Sequence, residues 1–427
     1  MLKKIVQKIL AKLAKAILAK YKPEIIGVTG SIGKTSTKEA IYTILSHRFS
    51  VRKNIKNYNN EIGLPLTIIG AGTGGRSVWH WIGVFIKALV LLIWKDKSYP
   101  KILVLEMAVD RVGDMKYLTD LAPCKVGVVT YIGPVHLEFF KTIDKIAKEK
   151  SVMISHLQKN GWAILNCDNK YVCEMKEMTK GRVLTYGISG GNENNDLIAS
   201  EINFSQSDGE ISGLNFKLTY HGSIVPILLP NILGEHLIYA ALAGAAVGIA
   251  YGMNLVEVSE SLRLFKAPKG RMKLIAGIKD TNIIDDTYNA GPDSMIAALK
   301  VMGKLETTSR KFAVLGDMLE LGEYTADGHR QVGESVAKNN IDVLITVGER
   351  ARMIATEADR QGIDSDNIFI FSDVERAGRF LQERIEPGDF ILVKGSQGIR
   401  MEKVVKEIMA DPLHAKELLV RQEKPWI

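Results

Sequence analysis

The sequence predicts an α/β protein with two mostly parallel sheets, and three observations lead to that prediction. Apolar, strand-like runs alternate with helical patterns from residue 100 onward, which is typical of parallel sheets covered by helices. A glycine-rich turn at Thr29–Ser36 joins an earlier buried strand to a helix. With 427 residues the chain is too long for one ordinary core, so two or three domains are expected.

Composition and charge indicate a globular cytoplasmic protein. Apolar residues make up 46% and charged residues 24% of the chain. The formal net charge is +8, but residues 1–22 contain seven lysines and no acid, so the basic excess is local and argues against a nucleic-acid partner. No secretory signal peptide is expected. The three cysteines, Cys124, Cys167 and Cys173, show no metal-ligand spacing, and no disulfide framework is expected from them.

The first helical pattern, residues 2–20, is amphipathic and basic. Apolar residues recur at steps of three and four with lysines between them. Such a helix can lie on an anionic membrane surface or dock on its own protein, and the pattern alone favours neither.

The segment Thr29-Gly30-Ser31-Ile32-Gly33-Lys34-Thr35-Ser36 predicts a phosphate-binding loop. It follows the apolar run 25–28 and opens a helix, so backbone N–H groups and the helix dipole can hold an anion. Lys34 is placed to reach the β- and γ-phosphates of a nucleotide, and the Thr35 hydroxyl to bind Mg²⁺. Val28 stands where the strict pattern has its first glycine, so the loop is a variant; an ordinary strand–turn–helix is the alternative.

A polar loop comes next, with Asn57, Tyr58, Asn59 and Asn60 beside a Gly/Pro turn. These neutral hydrogen-bonding groups suit a polar substrate, although asparagine-rich turns also occur simply as turns.

The apolar segment 78–94 predicts a helix near a membrane surface. Its seventeen residues, interrupted by Lys87, fall short of the roughly 20 that span a bilayer, and tryptophans stand at both ends. Together, 1–20 and 78–94 predict peripheral membrane contact. The alternative is a helix buried against a neighbour or at a dimer contact.

Two further strands end in residues that suit a phosphate–metal site. The run 102–105 ends at Glu106, and the run 126–130 leads to His136. Because open α/β sheets bind ligands at the carboxyl ends of their strands, both residues are expected to converge with the phosphate-binding loop.

A second α/β pattern begins after the linker 267–271. Its strands are expected at 282–285, 311–315, 343–347, 368–371 and 390–393. The predicted domains are therefore the basic helix 1–22, a P-loop ATP-binding domain 23–267 with an apolar insertion at 73–98, and a smaller Rossmann-like α/β domain 268–427. The last has no phosphate-binding loop of its own and is expected to supply substrate groups.

Seven stretches, in order over roughly residues 23–410, resemble the Mur ligase family. They are TGSIGKTSTKEAI, NYNNEIGLPLTI, LEMAVDRVGDMKYLTDLA, IGPVHLEFFKTIDKIAKEKS, IDDTYNAGPDSM, VLGDMLELGEY and ILVKGSQGIRMEKVV. The resemblance implies ATP-dependent amide formation in peptidoglycan synthesis. A substrate carboxylate takes the γ-phosphate to give an acyl phosphate, and an amine then attacks it. The implied substrates are a muramoyl-peptide precursor and D-alanyl-D-alanine, with ATP and Mg²⁺, in the cytoplasm or at the inner face of the membrane.

The resemblance also implies roles for single residues. Thr35 and Glu106 would hold one Mg²⁺ and His136 would contribute to a second, while Lys150 falls where the family carries a carbamylated lysine. Lys34, Lys150, His136 and Arg271 would form the catalytic set. The remaining matches are to nucleotide contacts at Arg271, Asp286, Tyr288 and Asn289, and to the incoming-amine side at Lys394, Ser396 and Arg400.

Three departures from the family pattern leave alternatives open. Only about 22 residues precede the first strand, too few for the usual UDP-sugar domain. Leu237 and Ala240 replace asparagines that contact the nucleotide base, and Gly291 replaces another asparagine. The alternatives are a ligase of this type with a different amine or carboxylate, such as a folylpolyglutamate synthase-like enzyme, and a non-catalytic nucleotide-binding scaffold at the membrane.

Overall fold

A computed structural model describes residues 2–55, 58–75, 77–133, 140–207 and 210–423 and confirms the predicted α/β class. The chain divides into two compact units. The first contains Met1–Asn203, Asn215–Leu229 and His236–Phe265, and the second contains Phe204–Leu214, Pro230–Glu235 and Lys266–Ile427.

The elements up to residue 265 form a large sheet and the helices around it. In chain order they are α1 (Leu2–Tyr21), β1 (Glu24–Thr29), α2 (Lys34–Ser46), β2 (Val51–Lys53), α3 (Gly63–Ile69), α4 (Val78–Ile93), β3 (Ile102–Glu106), α5 (Asp114–Leu121), β4 (Val126–Val129), α6 (Ile143–Ser155), β5 (Trp162–Asn166), α7 (Lys170–Cys173), β6 (Arg182–Ile188), β7 (Leu197–Ser207), β8 (Glu210–Tyr220), β9 (Ser223–Pro230), α8 (His236–Ala250) and α9 (Leu255–Leu262).

The strand order of this sheet places β1 at a reversal of the winding. Its nine strands run β2-β3-β1-β4-β5-β6-β7-β8-β9, and the pairs from β2 through β7 are parallel. The chain leaves β1 toward β2 and β3 on one side and later continues to β4 on the other. Ligands of open α/β sheets bind in the crevice at such a point, and the glycine-rich loop follows β1 there.

Close helix packing covers the sheet on the α2 side. Helix α8 lies against α2, where a Cβ on Gly244 would come within 2.9 Å of the Ile44 side chain and within 3.2 Å of Ala40. Leu237 and Ala240 are both buried in α8. The alanine- and glycine-rich composition of α8 therefore serves close packing.

Helices α1 and α4 pack beside each other and contribute to one core of the first unit. Leu10, Ala14 and Ile17 are the buried side of α1, and Val84 and Ala88 lie on the buried side of α4. Within the described part of the chain, no helix is both long and apolar enough to pass through a bilayer.

The elements after residue 265 build the smaller sheet. In chain order they are β10 (Lys273–Ala276), β11 (Asn282–Asp286), α10 (Pro292–Lys304), β12 (Lys311–Gly316), α11 (Thr325–Lys338), β13 (Val343–Val347), α12 (Arg352–Arg360), β14 (Ile368–Phe371), α13 (Val374–Arg384), β15 (Phe390–Lys394), α14 (Glu402–Ile408) and α15 (Ala415–Leu418).

This smaller sheet is mostly parallel and buried on both faces. Its order is β10-β11-β15-β12-β13-β14, and only the β10–β11 pair is antiparallel among the pairs described. Along β12 the side chains alternate, with Ala313 and Leu315 in one hydrophobic cluster and Phe312 and Val314 in the other. The continuous apolar runs in the sequence follow from this two-sided burial.

Two features differ from the sequence analysis. Strand β10 was not predicted, because its four residues, Lys-Leu-Ile-Ala, are too few for a clear period. No disulfide framework was expected from the three cysteines, yet Cys167 and Cys173 form one disulfide, whereas Cys124 is free and buried. The two are six residues apart on either side of a turn, which allows pairing without the multi-cysteine framework that a sequence would reveal.

Candidate functional site

The loop between β1 and α2 is shaped by two glycines. Gly30 has φ of +149°, and a Cβ there would lie 2.0 Å from the Thr130 hydroxyl. Gly33, the residue before α2, has φ of +82°. The loop is tied to the strand beside it, since Ser31 N–H donates to the Tyr131 carbonyl at 2.6 Å. Only glycine suits both turns, and the N-terminus of a helix such as α2 favours a nearby anion.

Lys34 places a positive charge at this loop. Its Nζ donates to the carbonyls of Gly30 at 2.8 Å and of Ser31 at 3.0 Å. The ammonium therefore lies across the loop in which the glycines leave room for an anion. A phosphate bound there would meet both the N–H groups of the helix and this cation.

Thr35 and Glu106 are in direct contact behind the loop. Thr35 Oγ1 donates to Glu106 Oε2 at 3.1 Å, and the amide of Asn59 donates to Oε1 at 3.0 Å. Glu106 ends β3, the strand that pairs with β1 in parallel register, so the two carboxyl ends meet. The topology thus brings together a hydroxyl and a carboxylate that are 71 residues apart.

Two residues that the sequence analysis did not select support Glu106. Lys38 Nζ lies 3.9 Å from Glu106 Oε2 and donates to the Asn54 carbonyl at 3.0 Å. The fully buried Asn54 side chain accepts from Glu106 N–H at 2.9 Å and donates to the Tyr58 carbonyl at 2.9 Å. Lys38 follows Lys34 by one helical turn, which is a sequence signal for a shared face; Asn54 has only its position after a strand.

Lys150 on α6 is an unusual buried lysine. Only 2% of its surface is exposed. The pKa of its amine is lowered to about 7, mainly by burial and then by the nearby charge of Lys34, while Asp110 and Glu149 act in the opposite direction. The amine is thus partly unprotonated near neutral pH, which is the form that can react with CO₂.

Two other residues predicted for the first site, Tyr58 and Asn60, form hydrogen bonds within or near their own loop. Tyr58 accepts from Thr73 N–H at 2.8 Å, and the side chain of Asn60 accepts from Gly63 N–H at 3.0 Å at the start of α3. Both therefore stabilise their own loop. Asn57 and His136 lie outside the described residues.

A polar cluster at the end of β5 was missed by the sequence analysis. The carboxylate of Asp168 accepts from Ile188 N–H at 2.7 Å, Asn192 N–H at 3.1 Å and the Tyr239 hydroxyl at 3.0 Å. The amide of Asn169 donates to the Ile132 carbonyl at 3.0 Å. This cluster fixes the segment that follows β4, next to the phosphate-binding loop.

In the second unit, five of the predicted residues contact one another, three in a polar cluster and two in a cation–π pair. Lys394 Nζ is paired with Asp286 at 2.6 Å and donates to the Asn289 carbonyl at 3.0 Å. The guanidinium of Arg271 lies over the ring of Tyr288, 4.3 Å from its centroid. Lys394 and Asp286 end the parallel neighbours β15 and β11, which explains their approach.

The remaining predicted residues of this unit are engaged nearby. The Ser396 hydroxyl donates to the Ala290 carbonyl at 3.2 Å and accepts from Leu319 N–H at 2.9 Å. Arg400 has φ of +66°, and its Nε is 2.5 Å from Glu402.

Asp285, beside this cluster, is fully buried. Burial raises its pKa to about 6, although hydrogen bonds from Thr287 and Gly270 oppose the shift.

The hydroxyl oxygen of Thr35 and the carboxylate oxygens of Glu106 are suitable ligands for Mg²⁺. This cation prefers hydroxyl, carboxylate and phosphate oxygens and keeps several waters, so two protein oxygens beside a bound phosphate suffice. Among the described ranges, no group of three or more His, Cys, Asp or Glu side chains converges on a common point.

Family comparisons match most of the chain. The Mur ligase middle domain matches residues 28–77 and 89–248, and the Mur ligase glutamate ligase domain matches residues 270–397. Residues 78–88, the greater part of α4, fall between the two matched stretches of the middle domain.

Individual relatives agree with this match. The UDP-N-acetylmuramoyl-tripeptide–D-alanyl-D-alanine ligase of Bacillus subtilis is 32% identical over 409 residues, which cover 95% of this chain and 80% of the relative. Among solved structures, MurF from Acinetobacter baumannii has a TM-score of 0.78 at 26% identity, with 95% of this chain and 81% of that chain covered. MurF ligase from Thermotoga maritima in complex with ADP has a TM-score of 0.73 at 28% identity, with 94% and 83% covered.

Proposed function

The chain belongs to the Mur ligase family of ATP-dependent ligases, and from that premise we propose that it joins D-alanyl-D-alanine to a UDP-muramoyl tripeptide. One observation carries the reaction class: the Thr35–Glu106 contact lies directly behind a phosphate-binding loop that holds Lys34. The choice of substrates follows the named relatives, of which the chain covers about four fifths in the Bacillus case.

The proposed reaction has two steps. The terminal carboxylate of the tripeptide attacks the γ-phosphorus of ATP, the bond to the β–γ bridging oxygen breaks, and ADP leaves. The amine of D-alanyl-D-alanine then attacks the resulting acyl phosphate, phosphate leaves, and the amine loses a proton as the amide forms. Such phosphoryl transfer depends mainly on positioning and on neutralising charge.

The chain's own groups suit the first step. The N–H groups at the start of α2 and the Lys34 ammonium would bind the β- and γ-phosphates. Thr35 and Glu106 would hold Mg²⁺, which when bound neutralises negative charge on the transferring phosphoryl group. Asn59, Asn54 and Lys38 keep Glu106 in place from the opposite side.

We propose that Lys150 is used as a carbamate. Its unprotonated amine adds CO₂ and loses a proton, so a neutral buried amine becomes an anionic carbamate next to Lys34. The lowered pKa supports this role, because a lysine with the ordinary pKa of 10.5 would hold its proton at neutral pH. An anion here would also offset the repulsion between the two lysines.

The remaining assignments stay proposals. His136 would contribute to a second Mg²⁺, and Asn57 to substrate binding, from outside the described residues. In the second unit we propose nucleotide contacts for Arg271, Asp286, Tyr288 and Asn289, and contacts with the incoming amine for Lys394, Ser396 and Arg400.

We further propose that the enzyme works in the cytoplasm against the inner face of the membrane, through residues 1–20 and 78–94. The exposed apolar side of α4 supports this location. After cell lysis in low salt, the protein should sediment with membranes; complete recovery in the supernatant would contradict the location without touching the reaction.

The reaction is tested with the purified full chain. Phosphate release should require ATP, UDP-muramoyl tripeptide and D-alanyl-D-alanine together, and Lys34→Ala should abolish it. Lys176→Ala, a change at an exposed lysine far along the chain, is the control. No amine-dependent phosphate release in the presence of intact ATP binding would exclude the proposed activity.

A further inference from the structure

We propose that α1 and α4 form a membrane-binding surface that lies flat on a bilayer containing anionic lipid. The inference rests on the location proposed above and adds to it the partner's chemistry and the groups that recognise it. Its apolar part, called here the α4 stripe, consists of Trp79, Ile82, Ile86, Leu89, Ile93 and Trp94. Its basic part consists of Lys8, Lys12 and Lys15 of α1.

Helix α4 is apolar over most of its surface, with His80 and Lys87 as its polar residues, but protein covers only one side of it. Val84, Ala88 and Leu91 face the core, whereas Trp79 is 82% and Ile86 is 55% exposed. A helix with apolar residues on its outer side as well as on its core-facing side favours a second apolar partner on that outer side. A continuous exposed stripe of this kind marks an interaction surface, since monomeric proteins rarely leave one uncovered.

The α4 stripe is held facing outward by the end of α1. Lys20 Nζ donates to the carbonyls of Leu91, Leu92 and Trp94, each at 2.9 Å, and so caps the C-terminus of α4. The Tyr21 hydroxyl also donates to the Leu91 carbonyl at 3.0 Å. These bonds fix the rotation of α4, so the stripe does not turn inward to find cover.

The dimensions of the helix exclude crossing and favour lying in the interface. Sixteen residues make α4 roughly 24 Å long, less than the roughly 30 Å thickness of the hydrocarbon core. Trp79 and Trp94 stand at its two ends, and such rings prefer the headgroup level. With a core-facing side and an apolar outer side, α4 would insert to the depth of its stripe.

Charge decides which apolar partner fits. Lys8, Lys12 and Lys15 are exposed on α1, which packs beside α4, and neither helix contains an acidic residue. Anionic lipid headgroups attract such lysines at close range. A second copy of the chain would instead bring the same lysines toward each other across a two-fold interface, so the bilayer is the favoured partner.

Part of the surface lies outside the family match. Residues 78–88, with Trp79, Ile82 and Ile86 of the stripe, lie outside the stretches matched by the family's middle domain, whereas Leu89, Ile93 and Trp94 lie inside the second stretch. The α4 stripe makes no contribution to the phosphate-binding loop or to Glu106, whose partners are given above. Its apolar composition therefore has no explanation in catalysis.

Vesicle binding by the full chain tests the proposal. The protein should float with phosphatidylcholine vesicles that contain phosphatidylglycerol, and added salt should release it. Lys8→Gln, Lys12→Gln and Lys15→Gln combined should weaken binding roughly a hundredfold, at about fivefold for each lysine. Ile82→Ser, Ile86→Ser and Leu89→Ser combined should abolish binding and keep the phosphate-release rate measured without vesicles.

The controls use matched changes elsewhere. Ile224→Ser with Leu264→Ser alters exposed apolar residues, and Lys176→Gln with Lys180→Gln alters exposed lysines; neither pair should change vesicle binding. Equal binding to neutral and anionic vesicles would overturn the lipid-charge claim alone. The proposed membrane-binding surface would be wrong if the protein bound no vesicle. It would also be wrong if the α4 stripe variant lost a dimer and not lipid binding. In either case the phosphate-release assay without vesicles would still test the ligase activity.

Discussion

At the scale of single residues, the Thr35 hydroxyl gives the sharpest test of the phosphate site. Thr35→Val keeps the shape of the side chain but removes the oxygen that contacts Glu106. We expect phosphate release to fall roughly a hundredfold or more, because charge on the phosphoryl group is then less well neutralised. Thr35→Ser retains the hydroxyl and should keep most of the rate. Equal loss in both variants, measured by phosphate release over a Mg²⁺ titration, would show that the methyl group matters instead.

Lys38 should act through Glu106 and through the fold. Lys38→Met removes the hydrogen bond to the Asn54 carbonyl and the cation 3.9 Å from the buried Glu106. We expect a loss of about 2–3 kcal/mol in the free energy of unfolding, measured by urea denaturation. Lys176→Met, at an exposed site, should change stability by less than about 0.5 kcal/mol. If the Lys38 variant were as stable as the control, the Lys38 cation would not be needed to stabilise the buried Glu106 carboxylate.

Lys150 makes the stability of the protein depend on pH. Its pKa is about 7 in the folded state and 10.5 as the ordinary value, so between these limits the unfolded chain binds more protons. Without CO₂, stability should therefore rise with pH from about 7 to 10, by up to ~1.4 kcal/mol for each pH unit relative to Lys150→Met. The measurement is the urea midpoint of both proteins at several pH values.

Carbamylation of Lys150 predicts a second difference between the same two proteins. Bicarbonate at neutral pH should stabilise the wild type, because CO₂ reacts with the folded amine, and should leave Lys150→Met unchanged. An identical response of the two proteins would remove the support for a carbamate.

Lys150 shows how far a residue's role can be predicted from the sequence. Helix α6 contains three lysines, and only the family resemblance distinguishes Lys150 from the other two. Its burial depends on how α6 packs, which the local sequence does not reveal.

At the scale of elements, the attachment of α4 depends on one lysine. Lys20→Met removes three hydrogen bonds to the carbonyls at the end of α4 and the cation that interacts with its dipole. We expect faster amide hydrogen exchange at residues 88–94 and a loss of about 1 kcal/mol in stability. Lys12→Met, an exposed change on the same helix, is the matched control. Unchanged exchange in the Lys20 variant would show that packing alone fixes α4.

Elements with a strong local pattern were predictable, and those defined by distant partners were not. The helix opened by Lys34 and the strands of the smaller sheet follow from turn glycines and from apolar runs buried on both faces. Strand β10 exists because it pairs with β11, and Asn54 contacts Glu106 only because Glu106 ends a neighbouring strand. No local signal carries such information. The Cys167–Cys173 bond likewise depends on the turn that α7 makes.

At the scale of the whole molecule, the chain has two separately packed units, and the phosphate-binding loop belongs to the first. A nucleotide that binds this loop stabilises that unit by mass action, by about 2.7 kcal/mol at a hundred times its dissociation constant. The topology predicts where protection from hydrogen exchange appears: at the start of α2 and at the ends of β1 and β3, which converge on the loop.

Hydrogen exchange with a non-hydrolysable ATP analogue and Mg²⁺ should show slowed exchange at these segments. Gly30→Val, in which the new side chain would meet the Thr130 hydroxyl, should abolish that protection, whereas Gly72→Ala, with open space around it, should preserve it. Protection that persists in the Gly30 variant would place the nucleotide elsewhere and remove the basis for assigning Lys34, Thr35 and Glu106 to its phosphates.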